Sequence, residues 1–205
     1  MESRAALLIV DVQNDFCPGG ALQIQNGDRV VEPINRAITY FAAAGVPILA
    51  SRDWHPAVTT HFRTSGGVWP VHCVQGTDGA AFHPGLLLPE GSVVLSKGIN
   101  PELDGYSAFE AISGDGRMLA ELLQDLRVRQ LYISGLATDY CVLCTTLEAL
   151  RNGFKVTVLT DAVAGVDIIP GESACAIEDM VNAGAQMVTV EELPALLGLK
   201  LPAGG

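Results

Sequence analysis

The sequence predicts an α/β fold in which residues 1–205 form one domain, a six-stranded parallel sheet with helices on both faces. Three observations predict it. Short runs rich in Val, Ile and Leu alternate with longer stretches of helical periodicity, the rhythm of β-α-β units with right-handed crossovers. Those runs are apolar throughout instead of alternating with polar residues, as strands buried on both faces must be. No repeat, low-complexity tract or Pro/Ser linker offers a boundary at which to divide the chain.

In chain order the predicted strands are AALLIV (5–10), VPILAS (46–51), SVVLS (92–96), QLYISGL (130–136), FKVTVLT (154–160) and QMVTV (186–190). Helical patterns occupy roughly residues 28–44, 116–128, 139–152 and 171–184. Gly45, Gly153 and Gly184 lie at the ends of three of them, where a left-handed residue commonly stops a helix. One stretch breaks the rhythm. Residues 54–91 are rich in Gly, Pro and Thr and show no sustained period. Loops of this length in compact domains are uncommon and usually functional.

Composition narrows the partners. The chain is 49% hydrophobic and 17% charged, which is globular. A net charge of −11 disfavours a nucleic acid or an anionic membrane, either of which wants a basic face. The first apolar run meets Asp11 too soon for a secretory h-region or a membrane span. Five cysteines, an odd number without a secretory signal, predict reduced thiols in a cytoplasm.

In open α/β sheets ligands bind beyond the carboxyl ends of the strands, where strand order reverses. The polar residues that follow the predicted strands are Asp11, Asp53, Lys97, the Thr138–Cys141 run and Asp161. Cys141 falls in the first turn of a predicted helix. Unpaired N–H groups and the positive end of the helix dipole there favour a thiolate, so its thiol is expected to ionise below the ordinary cysteine range. Cys17, Cys73, Cys144 and Cys175 read as small buried residues. The CVLC spacing also permits a redox pair with Cys144 as the resolving thiol, although the flanking sequence lacks the usual context. Lys97 is one of only three lysines, and beside two acids it would hold a thiolate in place. Asp11 reads either as a turn residue or as the general base that takes the thiol proton.

The segment SRDWHPAVTTHFRTSGGVWPVHC (51–73) carries three of the four histidines, with Asp53 just upstream. Asp53 and His55 are two apart, so in extended chain they point the same way. Together with His61 and His72 they fit a three-His, one-Asp site for a divalent ion, whereas a lone histidine would be an ordinary satisfied side chain. His83 reads as structural.

The motifs DVQNDFCPGGAL, RDWHP, WPVHCVQGTDGAAFHP, SKGINPELDGYSAFE and GLATDYCVLCTTLEAL occur in order over about residues 5–195. Together they resemble the nicotinamidases, also called pyrazinamidases, of the isochorismatase-like cysteine hydrolases. The resemblance implies strand order 3-2-1-4-5-6, so that the first and fourth strands flank the crevice. It implies Cys141 as nucleophile, Asp11 as base and Lys97 as third member of the triad, with Asp53, His55 and His72 as shared ligands of one divalent ion. His61 matches an extra histidine of actinobacterial pyrazinamidases that many relatives lack. The loop holding the ion spans about residues 53–90. Phe16, Trp69 and Tyr106 are implied as the walls of a slot for a planar ring, and the backbone N–H groups of Ala137 and Cys141 as an oxyanion hole with a cis peptide before Ala137. The implied reaction is hydrolysis of nicotinamide, and of pyrazinamide, to the acid and ammonia through a thioester. Mixed N and O ligands suit Zn, Fe or Mn. The implied enzyme is a cytoplasmic monomer or homo-oligomer serving pyridine-nucleotide salvage. Two other readings stay open: an amidohydrolase of the same superfamily acting on a carbamoylated amine or another aryl amide, and a non-enzymatic metal-binding protein.

Overall fold

The computed structural model describes residues 4–199. Its strands are β1 (Arg4–Val10), β2 (Ile48–Asp53), β3 (Val93–Lys97), β4 (Ile112–Ser113), β5 (Val128–Leu136), β6 (Lys155–Ala164) and β7 (Gln186–Val188). They form one sheet in the order β4-β3-β2-β1-β5-β6-β7. The expected six-stranded, all-parallel sheet is therefore corrected to seven strands. The added strand, β4, pairs antiparallel with β3 through only Leu95–Ser113 and Ser96–Ile112, and so lies outside β3 at the sheet edge. Two residues are too few to show a period of two, which is why the sequence pattern does not reveal β4.

The helices are α1 (Val31–Ala43), α2 (Leu119–Asp125), α3 (Leu143–Arg151), α4 (Glu172–Asn182) and the single turn α5 (Leu193–Leu196). In α1 the buried residues Val31, Ile34, Ala37, Ile38 and Phe41 follow the three-and-four spacing of one helix face. Gly45, Gly153 and Gly184 all have positive φ, as their places after α1, α3 and α4 require. Two cores lie on opposite sides of the sheet. Leu7 and Ile9 of β1 pack with Ile34 and Phe41 of α1. Leu8 and Val10 pack with Leu122 and Leu123 of α2 and Met180 of α4. Successive β1 residues thus enter different cores, which is why the run is apolar at every position.

Strand order reverses at β1, which lies between β2 and β5. Parallel register places Val10 beside both Ser51 and Gly135, and Asp53 beside Lys97. A Cβ on Gly135 would sit 2.0 Å from the Val10 carbonyl oxygen, so a residue without one lets β5 close against β1 here. Between Asp53 and Val93 there is no α-helix or named strand, as predicted, only short 3-10 turns and isolated bridges such as His55–Val74 and Phe62–Trp69. Among the described residues no helix is long and apolar enough to cross a membrane.

Candidate active site

Four strand ends deliver the polar groups. Asp11 follows β1, Asp53 ends β2, Lys97 ends β3, and Cys141 lies in a π-helical turn, Thr138–Val142, between β5 and α3. The expected first helical turn is thus a wider π turn, and α3 proper begins two residues later at Leu143. The Leu136–Ala137 peptide bond is cis. All four side chains are buried. The Lys97 ammonium is their common partner, 2.8 Å from Asp11 Oδ2, 2.5 Å from Asp53 Oδ1 and 3.3 Å from Cys141 Sγ. Its remaining recorded contact is the Gly105 carbonyl at 2.9 Å. Ser51 donates to Asp11 Oδ1 at 2.7 Å. A carboxylate oxygen of Asp11, one of Asp53 and the Cys141 sulfur all lie within 4.8 Å of one another, and the ammonium contacts each of them.

Burial alone would discharge Lys97, but Asp11 and Asp53 outweigh it and hold the ammonium charged well above the ordinary lysine range. For Asp53 the burial penalty is overcome by Lys97 and the adjacent histidines, which keep its carboxyl below the usual range. Asp11 goes the other way: burial raises it, Lys97 offsets only part, and Asp53 raises it further. Cys141 corrects an expectation. Burial raises its thiol well above the ordinary value, and the attraction of Lys97 is opposed by Asp11 and Asp53. With two carboxylates already sharing one cation, a thiolate would be a third negative charge in the cluster. The resting group is the thiol, and a base must take its proton.

Asp53 faces two ways. Its Oδ1 is on Lys97, while Oδ2 lies 3.7 Å from His55 Nε2 and 3.9 Å from His72 Nε2. The rings of His55 and His61 stack at 4.6 Å, and His55, His61 and His72 each offer a ring nitrogen within 4.8 Å of the others. Each Nδ1 is engaged by an oxygen: Gly98 O at 3.1 Å for His55, Asp104 Oδ1 at 2.7 Å for His61 and Pro70 O at 2.8 Å for His72. Those bonds leave Nε2 as the free lone pair of each ring, and among the described residues the buried His55 Nε2 has no hydrogen-bond partner. Burial holds His61 below the ordinary histidine value and His72 down to about 4, so both are neutral. Three imidazoles with Nε2 left free, beside an ionised carboxylate, are the donor set a divalent ion takes.

Phe16, Trp69, Tyr106 and Tyr140 line a pocket whose floor includes Cys141, Ala137, Asp53, His61 and His72. The Trp69 indole N–H donates to the Tyr106 hydroxyl at 2.8 Å, and Tyr140 meets Trp69 edge-on at 4.9 Å. Phe16 packs 5.6 Å from the His72 ring.

Eleven residues named as candidates from the sequence, Asp11, Phe16, Asp53, His55, His61, Trp69, His72, Lys97, Tyr106, Ala137 and Cys141, thus meet in one place. Others were not named. Gln13 accepts from Asp53 N–H and donates to the Asp53 and Ala80 carbonyls, clamping the end of β2. It stands in the quoted DVQNDF motif, where that position is a signal. Asp104, 43 residues from His61, and Tyr140, still further from Trp69, carry no spacing signal toward that loop. Asp161 does not reach the site. β6 runs on through it, and its carboxylate accepts the Val190 N–H at 2.9 Å. All five cysteines are free, but only Cys17 and Cys73 match the expected burial, whereas Cys144 is half-buried and Cys175 exposed. His83 accepts the Gly85 N–H, a turn contact consistent with a structural residue.

Comparison with known proteins places the chain in a family. The isochorismatase domain model matches residues 5–192. The nicotinamidase of Escherichia coli (strain K12) is 43% identical over 206 residues, covering 91% of this chain and 95% of its own. The crystal structure of the Pyrococcus horikoshii pyrazinamidase in complex with zinc superposes with a TM-score of 0.84 at 43% identity, over 91% of this chain and 99% of that one. PnC1 of L. infantum in complex with nicotinate superposes at 0.80 with 34% identity, over 93% and 95%. The chain belongs to the nicotinamidase/pyrazinamidase group of the isochorismatase family.

Proposed function

We propose that this protein is an amidohydrolase that converts nicotinamide to nicotinate and ammonia, with pyrazinamide as a second substrate. One observation carries the reading: the Cys141 thiol lines an aromatic slot, with the Lys97 ammonium 3.3 Å from its sulfur and an Asp11 carboxylate oxygen within 4.8 Å of it. Likeness to nicotinamidases over most of both chains supports the substrate.

The ring lies between Phe16, Trp69 and Tyr106, with its carboxamide carbon over Cys141. Asp11 takes the thiol proton as sulfur attacks, and its raised affinity for that proton suits it to the task. Lys97 stays charged and offsets the negative charge that builds on sulfur and on Asp11. The N–H groups of Ala137 and Cys141 receive the oxyanion. Asp11 then returns the proton to the departing ammonia, leaving a thioester on Cys141. A water molecule, deprotonated by Asp11, attacks the thioester; the acid is released as the C–S bond breaks, and Asp11 returns the proton to the Cys141 sulfur.

Asp53, His55, His61 and His72 would hold one divalent ion, Zn, Fe or Mn, which would supply a Lewis acid beside the slot. The loop of residues 53–90 is the metal-binding part of a single domain that spans the chain. Five free cysteines support a reducing, cytoplasmic setting, and the charge of −11 supports a small-molecule partner over nucleic acid or membrane. A monomer or a homo-oligomer serves this chemistry equally.

Ammonia release from nicotinamide, with and without a chelator, tests the reading. Release that stops on chelation and returns with added metal is the expected result. Faster turnover of a carbamoylated amine than of nicotinamide would assign the chain to the other amidohydrolases of the superfamily, and binding of metal without any turnover would make it a metal-binding protein.

A further inference from the structure

We infer that Asp104 is the outer carboxylate that makes His61 a metal ligand, fixing its tautomer and aiming its free nitrogen inward. This rests on the metal site proposed above. The three rings of the cluster are held differently. His55 and His72 each bond a backbone carbonyl through Nδ1, whereas His61 bonds a side-chain carboxylate, at 2.7 Å. All three partners accept and so place the ring proton on Nδ1. The carboxylate also brings a negative charge, which raises the basicity of the opposite nitrogen. The first two partners are main chain and cannot be mutated away. The grip on His61 depends on one replaceable side chain.

Asp104 is placed for this by the segment that carries it. The Pro101 carbonyl accepts from Thr60 N–H at 2.8 Å and from the hydroxyls of Thr59 and Thr60 at 2.9 Å each. Three residues on, Asp104 accepts a hydrogen bond from His61 Nδ1, and the next carbonyl, Gly105, accepts one from Lys97. The stretch 101–105 therefore straps the loop bearing His61 to the catalytic lysine. The Asp104 side chain is itself 57% exposed, so truncating it opens no cavity and leaves the fold intact.

Zinc affinity of the full-length protein, measured by competition with a chromophoric chelator, tests the inference. Asp104→Ala is expected to weaken zinc binding about 10- to 100-fold, the usual effect of losing an outer partner. Asp104→Asn, whose amide oxygen still accepts from Nδ1, loses less. In a His61→Ala background, adding Asp104→Ala should change nothing further, because the residue acts only through that ring. Wild-type affinity in Asp104→Ala, or an equal loss in both backgrounds, overturns the inference. His72→Ala separates the two layers. If it loses zinc while Asp104→Ala keeps it, the metal site stands and the inference falls. If His72→Ala binds zinc like the wild type, or the wild type takes none, both fall.

Discussion

Asp11, Lys97 and Cys141 stand at or just beyond the ends of paired parallel strands, whereas His55, His61 and His72 hang from a segment with no α-helix or named strand between Asp53 and Val93. In the first region the sheet register sets positions, since Asp53 must lie beside Lys97 and Val10 beside Gly135. In the second, single hydrogen bonds set them: Gly98, Pro70 and Asp104 each hold one ring. The contrast separates two ways of building one site. The strand-end half is organised by the same pairing that makes the fold. The loop half is organised by contacts local to the site, and an ion would add to them. Asp53 belongs to both, one oxygen on Lys97 and the other toward the histidines.

The largest effect should come from the strand-end half. Lys97→Met removes the one cation between two buried carboxylates, which costs about 3–5 kcal/mol when a buried pair loses a partner. The variant should melt far below the wild type and release no ammonia, while His61→Ala melts near it. Equal melting temperatures for the two variants would erase the distinction between the halves.

Chelation probes the other half. It should abolish activity and open residues 56–80 to limited proteolysis, while the strands stay protected. Unchanged cleavage of that segment would mean the loop is held without the ion.

Cys141 sharpens the contrast through pH. Its thiol is raised by burial, so the thiolate fraction grows as pH rises toward that value, by about tenfold per unit. Alkylation by iodoacetamide should therefore climb steadily from pH 6 to pH 9. A rate flat across that window would reinstate a preformed thiolate, with Lys97 prevailing over the two acids.

Trp69→Ala gives the smallest change. It removes one wall of the slot and the hydrogen bond to Tyr106, and should raise KM several-fold with little change in kcat. A loss confined to kcat would place Trp69 in the chemistry and not in the grip on the ring.

These same differences decide how much could be read from the sequence. β1, β2, β3, β5 and β6 declare themselves as apolar runs, and the rule that ligands sit beyond strand ends points directly to Asp11, Asp53, Lys97 and Cys141. β4 escapes because two residues carry no period, and Asp161 misleads because β6 continues past it. The histidines show by their density in one loop, but their outer partners do not. Asp104 lies 43 residues from His61, and only folding brings the two together. The ionisation of Cys141 departs from the sequence expectation for a related reason. A helix start and a lysine are visible in the chain, whereas burial beside two carboxylates is a property of the assembled site.

The central claim is that the strand-end half performs the chemistry on sulfur, and trapping the intermediate tests it most directly. Protein quenched in acid during turnover of nicotinamide should show, by peptide mass spectrometry, a nicotinoyl group on Cys141 and on no other cysteine. The adduct should be absent from Cys141→Ala, which should fold and release no ammonia. Steady turnover by Cys141→Ala, with no acyl group on any thiol, would contradict the account and move the reaction to the histidine half of the site.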